Sequence, residues 1–169
     1  MKAFEIQDVK SFMGRLFGES FFDGLMVSFF ELTTGMHVRF DGKRGTDWYA
    51  DDEMEIFRDA HTQRYVCWRE MKPHVFDIIR GKRTPTSMDG AFILPEPAVR
   101  QVLQTYGLGQ EKDLVETLVW NLHFEKGSLT LVTGCSLRTF SLDKSVEQAW
   151  DAWTGQTLRQ QGIACQVVS

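Results

Sequence analysis

Between residues 115 and 133 apolar side chains recur at every second position, and the pattern is interrupted once, at the pair Lys126-Gly127. The recurring apolar residues are Leu118, Trp120, Leu122, Phe124, Leu129 and Leu131. A period of two is typical of a strand that is buried on one face, and a two-residue loop with glycine is typical of a hairpin turn. The stretch therefore predicts an antiparallel hairpin with strands at 115–125 and 128–133.

Helices and further strands are predicted on both sides of this hairpin. Apolar residues at helical spacing, together with cap and stop residues, predict helices near 8–18, 70–80, 96–106 and 144–161. Strands are predicted at 25–32, 36–40, 43–49, 87–94, 137–142 and 163–168, with turns at Asp41-Gly42 and at Gly134. The fold class is therefore α+β, with antiparallel strands in one or two sheets packed by about four helices.

Length and composition favour a single domain over residues 1–169. The chain has 169 residues, of which 43% are hydrophobic and four are proline, and it carries 13 phenylalanines and five tryptophans. Such a composition excludes disordered, collagen-like and low-complexity classes. A chain of this length buries roughly 70% of its unfolded surface, so it builds a core without a disulfide or metal.

The two halves of the chain, 1–85 and 86–169, repeat one order of predicted elements. Asp8 corresponds to Glu96 at an offset of 88, and Gly42 corresponds to Gly134 at an offset of 92. The doubled strand-helix-strand order resembles the repeat unit of DNA sliding clamps, in which basic helices face DNA. That resemblance implies two pseudo-repeats in one clamp-like domain. Here the first helix supplies Lys10 and Arg15, whereas the second supplies only Arg100, which is fewer than the resemblance implies.

Charge and cysteine content bound the environment of the protein. The formal net charge is -4, so the whole molecule has no long-range attraction for phosphate polymers or anionic membranes. The three cysteines, Cys67, Cys135 and Cys165, have neither metal-ligand nor disulfide spacing. Without an apolar leader or a membrane-length apolar run, the sequence predicts a cytoplasmic protein without a membrane partner.

Two candidate sites are better explained by structure than by chemistry. A two-residue turn at Lys126-Gly127 places Cys135 opposite Leu118 on the buried face and His123 opposite Thr130 on the other, so these do not form a Cys/His pair. Acidic residues between 47 and 59, followed by His61, lack the spacing of a calcium loop and are typical of a solvated helix start. The sequence predicts no metal and no cofactor.

A basic segment is the remaining candidate site. It consists of Arg69, Lys72, Arg80, Lys82 and Arg83, with Trp68 and Phe76 between them. Cations that contact phosphate next to an aromatic ring that stacks on a base are typical of nucleic-acid surfaces, with Trp68 as the expected stacking ring. The alternative is that the cations lie at a helix end because they stabilise its dipole.

Several short motifs resemble a family of uncharacterised bacterial proteins of similar length. They are Thr133-Gly134-Cys135-Ser136-Leu137, Thr139-Phe140, Leu142-Asp143-Lys144-Ser145, Trp150-Asp151 and the stretch 76–85. The resemblance covers most of the chain and implies no activity, cofactor or catalytic residue.

These observations predict a non-enzymatic cytoplasmic binding module whose ligand is a protein or a nucleic acid. The alternative is a small enzyme whose site is assembled from distant residues, with a histidine meeting carboxylates in a cleft. Its candidate histidines are His37, His61, His74 and His123. A homodimer is also compatible with the sequence, because a partner would protect an edge strand at 163–168.

Overall fold

The computed structural model describes residues 1–57 and 64–169, which form seven strands and five α-helices. The strands are β1 (Ala3–Ile6), β2 (Met26–Thr33), β3 (His37–Asp41), β4 (Ser87–Ile93), β5 (Val115–Glu125), β6 (Ser128–Leu137) and β7 (Cys165–Val167). The helices are α1 (Val9–Gly18), α2 (Asp51–Met54), α3 (Trp68–Ile79), α4 (Glu96–Thr105) and α5 (Ser145–Gln160). The predicted α+β class is confirmed, and the four longer helices lie within two residues of their predicted ends. Across both described ranges, no helix combines the length and the hydropathy needed to cross a bilayer.

All seven strands belong to one sheet, in the order β3-β2-β4-β5-β6-β1-β7. Every neighbouring pair is antiparallel. The β5–β6 hairpin, which the sequence marks most strongly, lies beside β4 inside the sheet rather than at an edge. The strand predicted at 163–168 is present as β7 and forms one edge of the sheet.

The hairpin has the register that a two-residue turn predicts. Leu118 pairs with Cys135, and His123 pairs with Thr130. Lys126 and Gly127 have φ angles of 51° and 81°, which is the positive pair that a type I′ turn requires. The turn type and the apolar alternation therefore agree, and together they bury one face of both strands.

The predicted hairpin turn at Asp41-Gly42 is wrong, because the chain does not turn back after β3 and Gly42 still pairs with β2. Its amide donates a 2.9 Å hydrogen bond to the carbonyl of Ser28. A Cβ atom at this position would lie 1.6 Å from the carbonyl oxygen of Val27, so only glycine fits. The predicted returning strand at 43–49 is also absent: Lys43 forms an isolated bridge with Tyr65, and a 3₁₀ turn follows.

The predicted turn at Gly134 is wrong for a similar reason. Gly134 lies inside β6 and pairs with Val119, and the strand runs on to Leu137. A Cβ atom here would lie 3.2 Å from the side-chain nitrogen of Asn121. The glycine therefore leaves room for the Asn121 side chain of the neighbouring strand. The separate strand predicted at 137–142 is absent, because β6 ends at Leu137 and residues 138–144 are irregular.

The core lies on one face of the sheet, beneath α1, α3, α4 and α5. Side chains of these helices and of the strands form one hydrophobic cluster, within which Trp120 and Trp150 stack with ring centroids 5.4 Å apart. On β5 the buried residues alternate with exposed Asn121, His123 and Glu125. One face of the sheet is therefore closed by helices, and the opposite face carries polar side chains.

The described parts of the two halves share the order strand, helix, strand, strand, helix. The strand pairing does not follow this repeat, because β4 lies between β2 and β5 whereas β1 lies between β6 and β7. The internal duplication and its likeness to the clamp repeat stay predictions.

Candidate functional site

The six residues predicted to bind nucleic acid lie on α3 and in the loop that follows it, but they do not form one surface. Trp68 and Arg69 are in the first turn of α3, whereas Arg80 follows its last residue. At 1.5 Å per residue, Arg69 and Arg80 are separated by about 16 Å along the helix axis. The helix therefore divides the predicted set into two groups.

Trp68 and Lys72 are engaged inside the protein. Trp68 has 0% exposure, and its indole Nε1 donates a 2.7 Å hydrogen bond to the carbonyl of Leu16. The expectation that Trp68 stacks on a base is therefore wrong, because neither ring face reaches solvent. The Lys72 ammonium lies 2.5 Å from the carboxylate of Asp23 and donates to the carbonyl of Glu19 at 3.2 Å. Its charge joins α3 to the loop before β2.

The loop after α3 keeps its cations in solvent. Arg80 has a side chain that is 68% exposed and lies 3.7 Å from Asp77, an exposed pair that contributes little. Lys82 and Arg83 are exposed, and in the described part of the chain neither has a carboxylate within ion-pair distance. Three of the six predicted residues, Arg80, Lys82 and Arg83, are thus available to a ligand together.

A small apolar slot lies beside these cations, between α1, the end of α3 and the start of β4. Its volume is about 190 Å³. The slot is lined by Met13, Phe17, Ile79, Gly81, Lys82, Arg83, Thr84, Pro85 and Met88. Phe76 is 46% exposed, and its ring centroid lies 6.2 Å from that of Phe17. We call the slot and its three cations, Arg80, Lys82 and Arg83, the α3 surface.

A second and larger cleft has a volume of about 620 Å³. It lies where Arg64 and Tyr65, the start of α4, the start of β5 and the residue after the end of β6 meet. Buried Leu94 and Val115 are part of its apolar lining, together with half-buried Val99. Its charged residues are Arg64, Arg100, Lys112 and Arg138, and Glu96, Asp113 and Glu116. We call this cavity the basic cleft.

Of the four cations that line the basic cleft, one forms an ion pair and three do not. Arg100 forms an ion pair with Glu96 one turn earlier on α4. Glu116 accepts a 2.8 Å hydrogen bond from the hydroxyl of Ser136. Within residues 1–57 and 64–169, Arg64, Lys112 and Arg138 have no carboxylate within ion-pair distance. These three cations therefore face the cavity without a direct ion pair, although Asp113 and Glu116 line the same cavity.

None of the cleft residues belongs to the basic segment that the sequence predicts as a binding site, and Arg100 is named there only as a helix cation in the clamp resemblance. They come from segments that are far apart in the chain, and no spacing between them has a recognisable period. A lone arginine or lysine in each segment is the ordinary composition of a protein surface. The tertiary fold alone brings them together.

The histidines of the small-enzyme alternative meet carboxylates on the polar face of the sheet. His123 Nδ1 lies 2.6 Å from Asp89 Oδ1, and His37 Nε2 lies 3.4 Å from Glu31 Oε2. None of these residues lines the basic cleft or the slot. His74 is exposed on α3, and His61 lies outside the described residues.

A family model matches residues 15–166, from α1 to β7, and so covers the basic cleft and all of the α3 surface except Met13. The chain belongs to DUF5721, a family of unknown function. The resemblance to an uncharacterised family is thereby confirmed. A comparison with curated proteins and one with solved structures gave no match.

The cysteines of this DUF5721 member are free thiols. Burial raises the pKa of Cys135 to about 11, and burial also raises the pKa of Cys67 and of Cys165. A thiol with a raised pKa is a weak nucleophile at neutral pH. No group of three or more metal-ligating side chains capable of holding an ion occurs in the described ranges. Asp59 and His61 of the acidic stretch lie outside those ranges.

Proposed function

We propose that the protein is a non-enzymatic cytoplasmic binding module that binds an acidic protein segment at the α3 surface. The proposal is carried by one observation, an apolar slot with exposed cations at its rim. An apolar side chain of the partner enters the slot, and flanking carboxylates contact Lys82, Arg83 and Arg80. The cytoplasmic setting is supported by three cysteines that stay unpaired.

The size of the slot limits the anchor to a single side chain. Its volume of about 190 Å³ accommodates a leucine or a phenylalanine, but not a helix face. Burying such a side chain contributes about 1.5–3 kcal/mol, and each exposed charge pair adds about 0.2–1 kcal/mol. The anchor and three charge pairs together contribute about 2–6 kcal/mol. A binding free energy of about 4–5.5 kcal/mol, within this range, corresponds to a dissociation constant of about 0.1–1 mM for a short peptide.

A protein segment is favoured over a nucleic acid because of the character of the slot. The aromatic ring predicted for stacking, Trp68, is buried, and half-exposed Phe76 is the aromatic ring that α3 presents near the cations. A strand of bases needs successive flat stacking platforms and a continuous positive groove.

The test is a titration of the ¹⁵N-labelled protein with a peptide that has one Phe between pairs of Glu. We expect amide shifts around Met13, Ile79 and Thr84 that saturate in the millimolar range. A peptide with Ala in place of Phe should bind at least about tenfold more weakly, since the anchor is lost. The double variant Lys82→Glu/Arg83→Glu should lose the shifts.

Matched controls separate this proposal from its competitors. The variant Lys112→Glu/Arg138→Glu carries the same charge change in the basic cleft and should bind the peptide like the parent protein. Equal binding of the Phe and Ala peptides would contradict the slot. If an oligothymidylate binds more tightly than the Phe peptide, and Phe76→Ala abolishes that binding, the ligand is a nucleic acid and the proposal fails.

The competing proposal is a small enzyme that uses the Asp89–His123 pair. The 2.6 Å contact favours it, because a carboxylate that orients an imidazole is a common arrangement for a general base. The two side chains are 36% and 54% exposed, and they lie on the polar sheet face outside both cavities. A general base needs a bound substrate beside it, and neither the slot nor the basic cleft provides one at this pair.

A further inference from the structure

We infer that the basic cleft binds a nucleoside phosphate, with the phosphate groups on Arg64, Lys112 and Arg138. This site is independent of the α3 surface, because the two cavities share no residue. The cleft volume of about 620 Å³ lies within the usual range for small-ligand sites, about 300–1,000 Å³. The cavity is thus large enough for a complete nucleotide.

The phosphate part of the inference follows from unneutralised charge. Arg64, Lys112 and Arg138 face the same cavity, and among the residues that the structure describes none of the three is within ion-pair distance of a carboxylate. The three side chains are exposed and form no ion pair, so a ligand reaches them without breaking an ion pair. An anion with several oxygens accepts charge-assisted hydrogen bonds from such cations.

The apolar and aromatic residues of the lining indicate that the ligand also carries a planar ring. Leu94 and Val115 are buried and apolar, and Val99 adds a third apolar wall. Tyr65 lines the cavity as well, and the Arg64 guanidinium lies 5.1 Å from its ring centroid. A planar ring packs against such surfaces, whereas a free inorganic anion leaves them in water.

The carboxylates of the cleft select a ligand that also donates hydrogen bonds. Asp113 and Glu116 line the cavity, and both are exposed. They repel a pure polyanion but accept hydrogen bonds from hydroxyl or amino groups. A nucleoside phosphate carries phosphates, a planar ring, sugar hydroxyls and, in most bases, an amino group. This combination matches all three parts of the lining.

The experiment is isothermal titration calorimetry of the protein with ADP, adenosine, ribose 5-phosphate and pyrophosphate, in EDTA so that no metal ion bridges ligand and carboxylate. We expect ADP to bind about tenfold or more tightly than each of the other three, because it alone engages both the cations and the apolar walls. Raising the salt concentration should weaken ADP binding.

Lys112 and Arg138 are exposed, so their replacement keeps the fold, whereas Val99 is a half-buried residue of the cleft wall. Lys112→Ala/Arg138→Ala should weaken ADP about tenfold or more, and Val99→Trp should block it by filling the cleft. Lys82→Glu/Arg83→Glu, in the α3 surface, should leave ADP binding unchanged. Peptide binding in the cleft variants stays intact, so failure here and failure of the α3 proposal are distinguishable.

Three results would overturn the inference. The first is no heat of binding with 5 mM ADP at low salt. The second is equal ADP affinity in the parent protein and in Lys112→Ala/Arg138→Ala. The third is a pyrophosphate affinity equal to that of ADP, which would show that the cavity recognises only an anion.

Discussion

Replacing Arg44 or Glu70 should destabilise the protein far more than replacing a comparable surface pair. The Arg44 side chain is 1% exposed and donates to both carboxylate oxygens of Glu70, at 2.8 and 2.9 Å. Its guanidinium also lies 3.9 Å from the ring centroid of Phe57. Glu70 in turn accepts a 2.8 Å hydrogen bond from the amide of Cys67 at the start of α3. The pair therefore anchors the chain after β3 to a helix.

The magnitude follows from the burial of the two partners. Breaking a fully buried ion pair costs about 3–5 kcal/mol, because one charge is left without compensation. The Glu70 side chain is 38% exposed, so water compensates part of the loss. We expect Arg44→Met to cost about 2–3 kcal/mol, and Glu70→Gln, which leaves the buried Arg44 charge unpaired, to cost at least as much. For a chain of this size that corresponds to a fall in melting temperature of about 4–12 °C.

The assay is urea unfolding followed by tryptophan fluorescence, with the double variant included. The double variant should cost less than the sum of the single variants by about 1.5 kcal/mol, since the second change removes the uncompensated charge. Arg39→Met is the matched control: Arg39 also donates to a glutamate at 2.8 Å, but its side chain is 53% exposed, so the cost should stay below about 1 kcal/mol. Single-variant costs that add within about 0.5 kcal/mol would refute the reasoning.

Three further predictions concern single positions. Gly42→Ala should lower the free energy of unfolding, measured in urea, by at least about 3 kcal/mol, because its Cβ would lie 1.6 Å from the Val27 carbonyl oxygen. The control Gly45→Ala, whose Cβ meets nothing within 4 Å, should change it by less than about 1 kcal/mol, and equal losses in the two variants would contradict the clash. Cys135, with its pKa raised to about 11, should resist iodoacetamide at pH 8 until urea unfolds the protein, and rapid labelling of the native state would contradict this. The hydrogen bond from Arg44 holds the pKa of Glu70 below 4.5, so the pair stabilises the fold fully above pH 4.5 and less as the pH falls through the folded-state pKa. Urea midpoints from pH 7 to pH 3 should therefore fall less in Glu70→Gln than in the parent, and parallel curves would contradict the assignment.

Much of the secondary structure was predictable because its signals are local. The alternation around Lys126-Gly127 and the two-residue turn are enough to place Cys135 opposite Leu118, as observed. The four longer helices have apolar spacing and end signals within their own segments. Neighbours a few residues apart decide these features, so a single sequence contains the information.

The candidate sites were predictable only in part. The cations Arg80, Lys82 and Arg83 are recognisable as a basic loop, and they are exposed. The slot beside them was not predictable, because Met13 and Phe17 come from α1 and Met88 from β4. The basic cleft was missed entirely, since its cations are dispersed over residues 64–138.

The sequence by itself determined the four longer helices, the β5–β6 hairpin with its register, and the α+β class. Only the tertiary structure decided the role of residues whose type fits more than one local structure. Gly42 and Gly134 are compatible with turns, yet Gly42 allows close backbone contact with β2 and Gly134 leaves room for the side chain of Asn121. Trp68 is compatible with a stacking surface, yet it is buried beside Phe30 and Phe92, with ring centroids 5.1 and 5.2 Å away. The physical reason is range: hydrogen-bonding and apolar periodicity act between near neighbours, whereas burial, steric fit and charge convergence depend on residues that only the folded chain brings into contact.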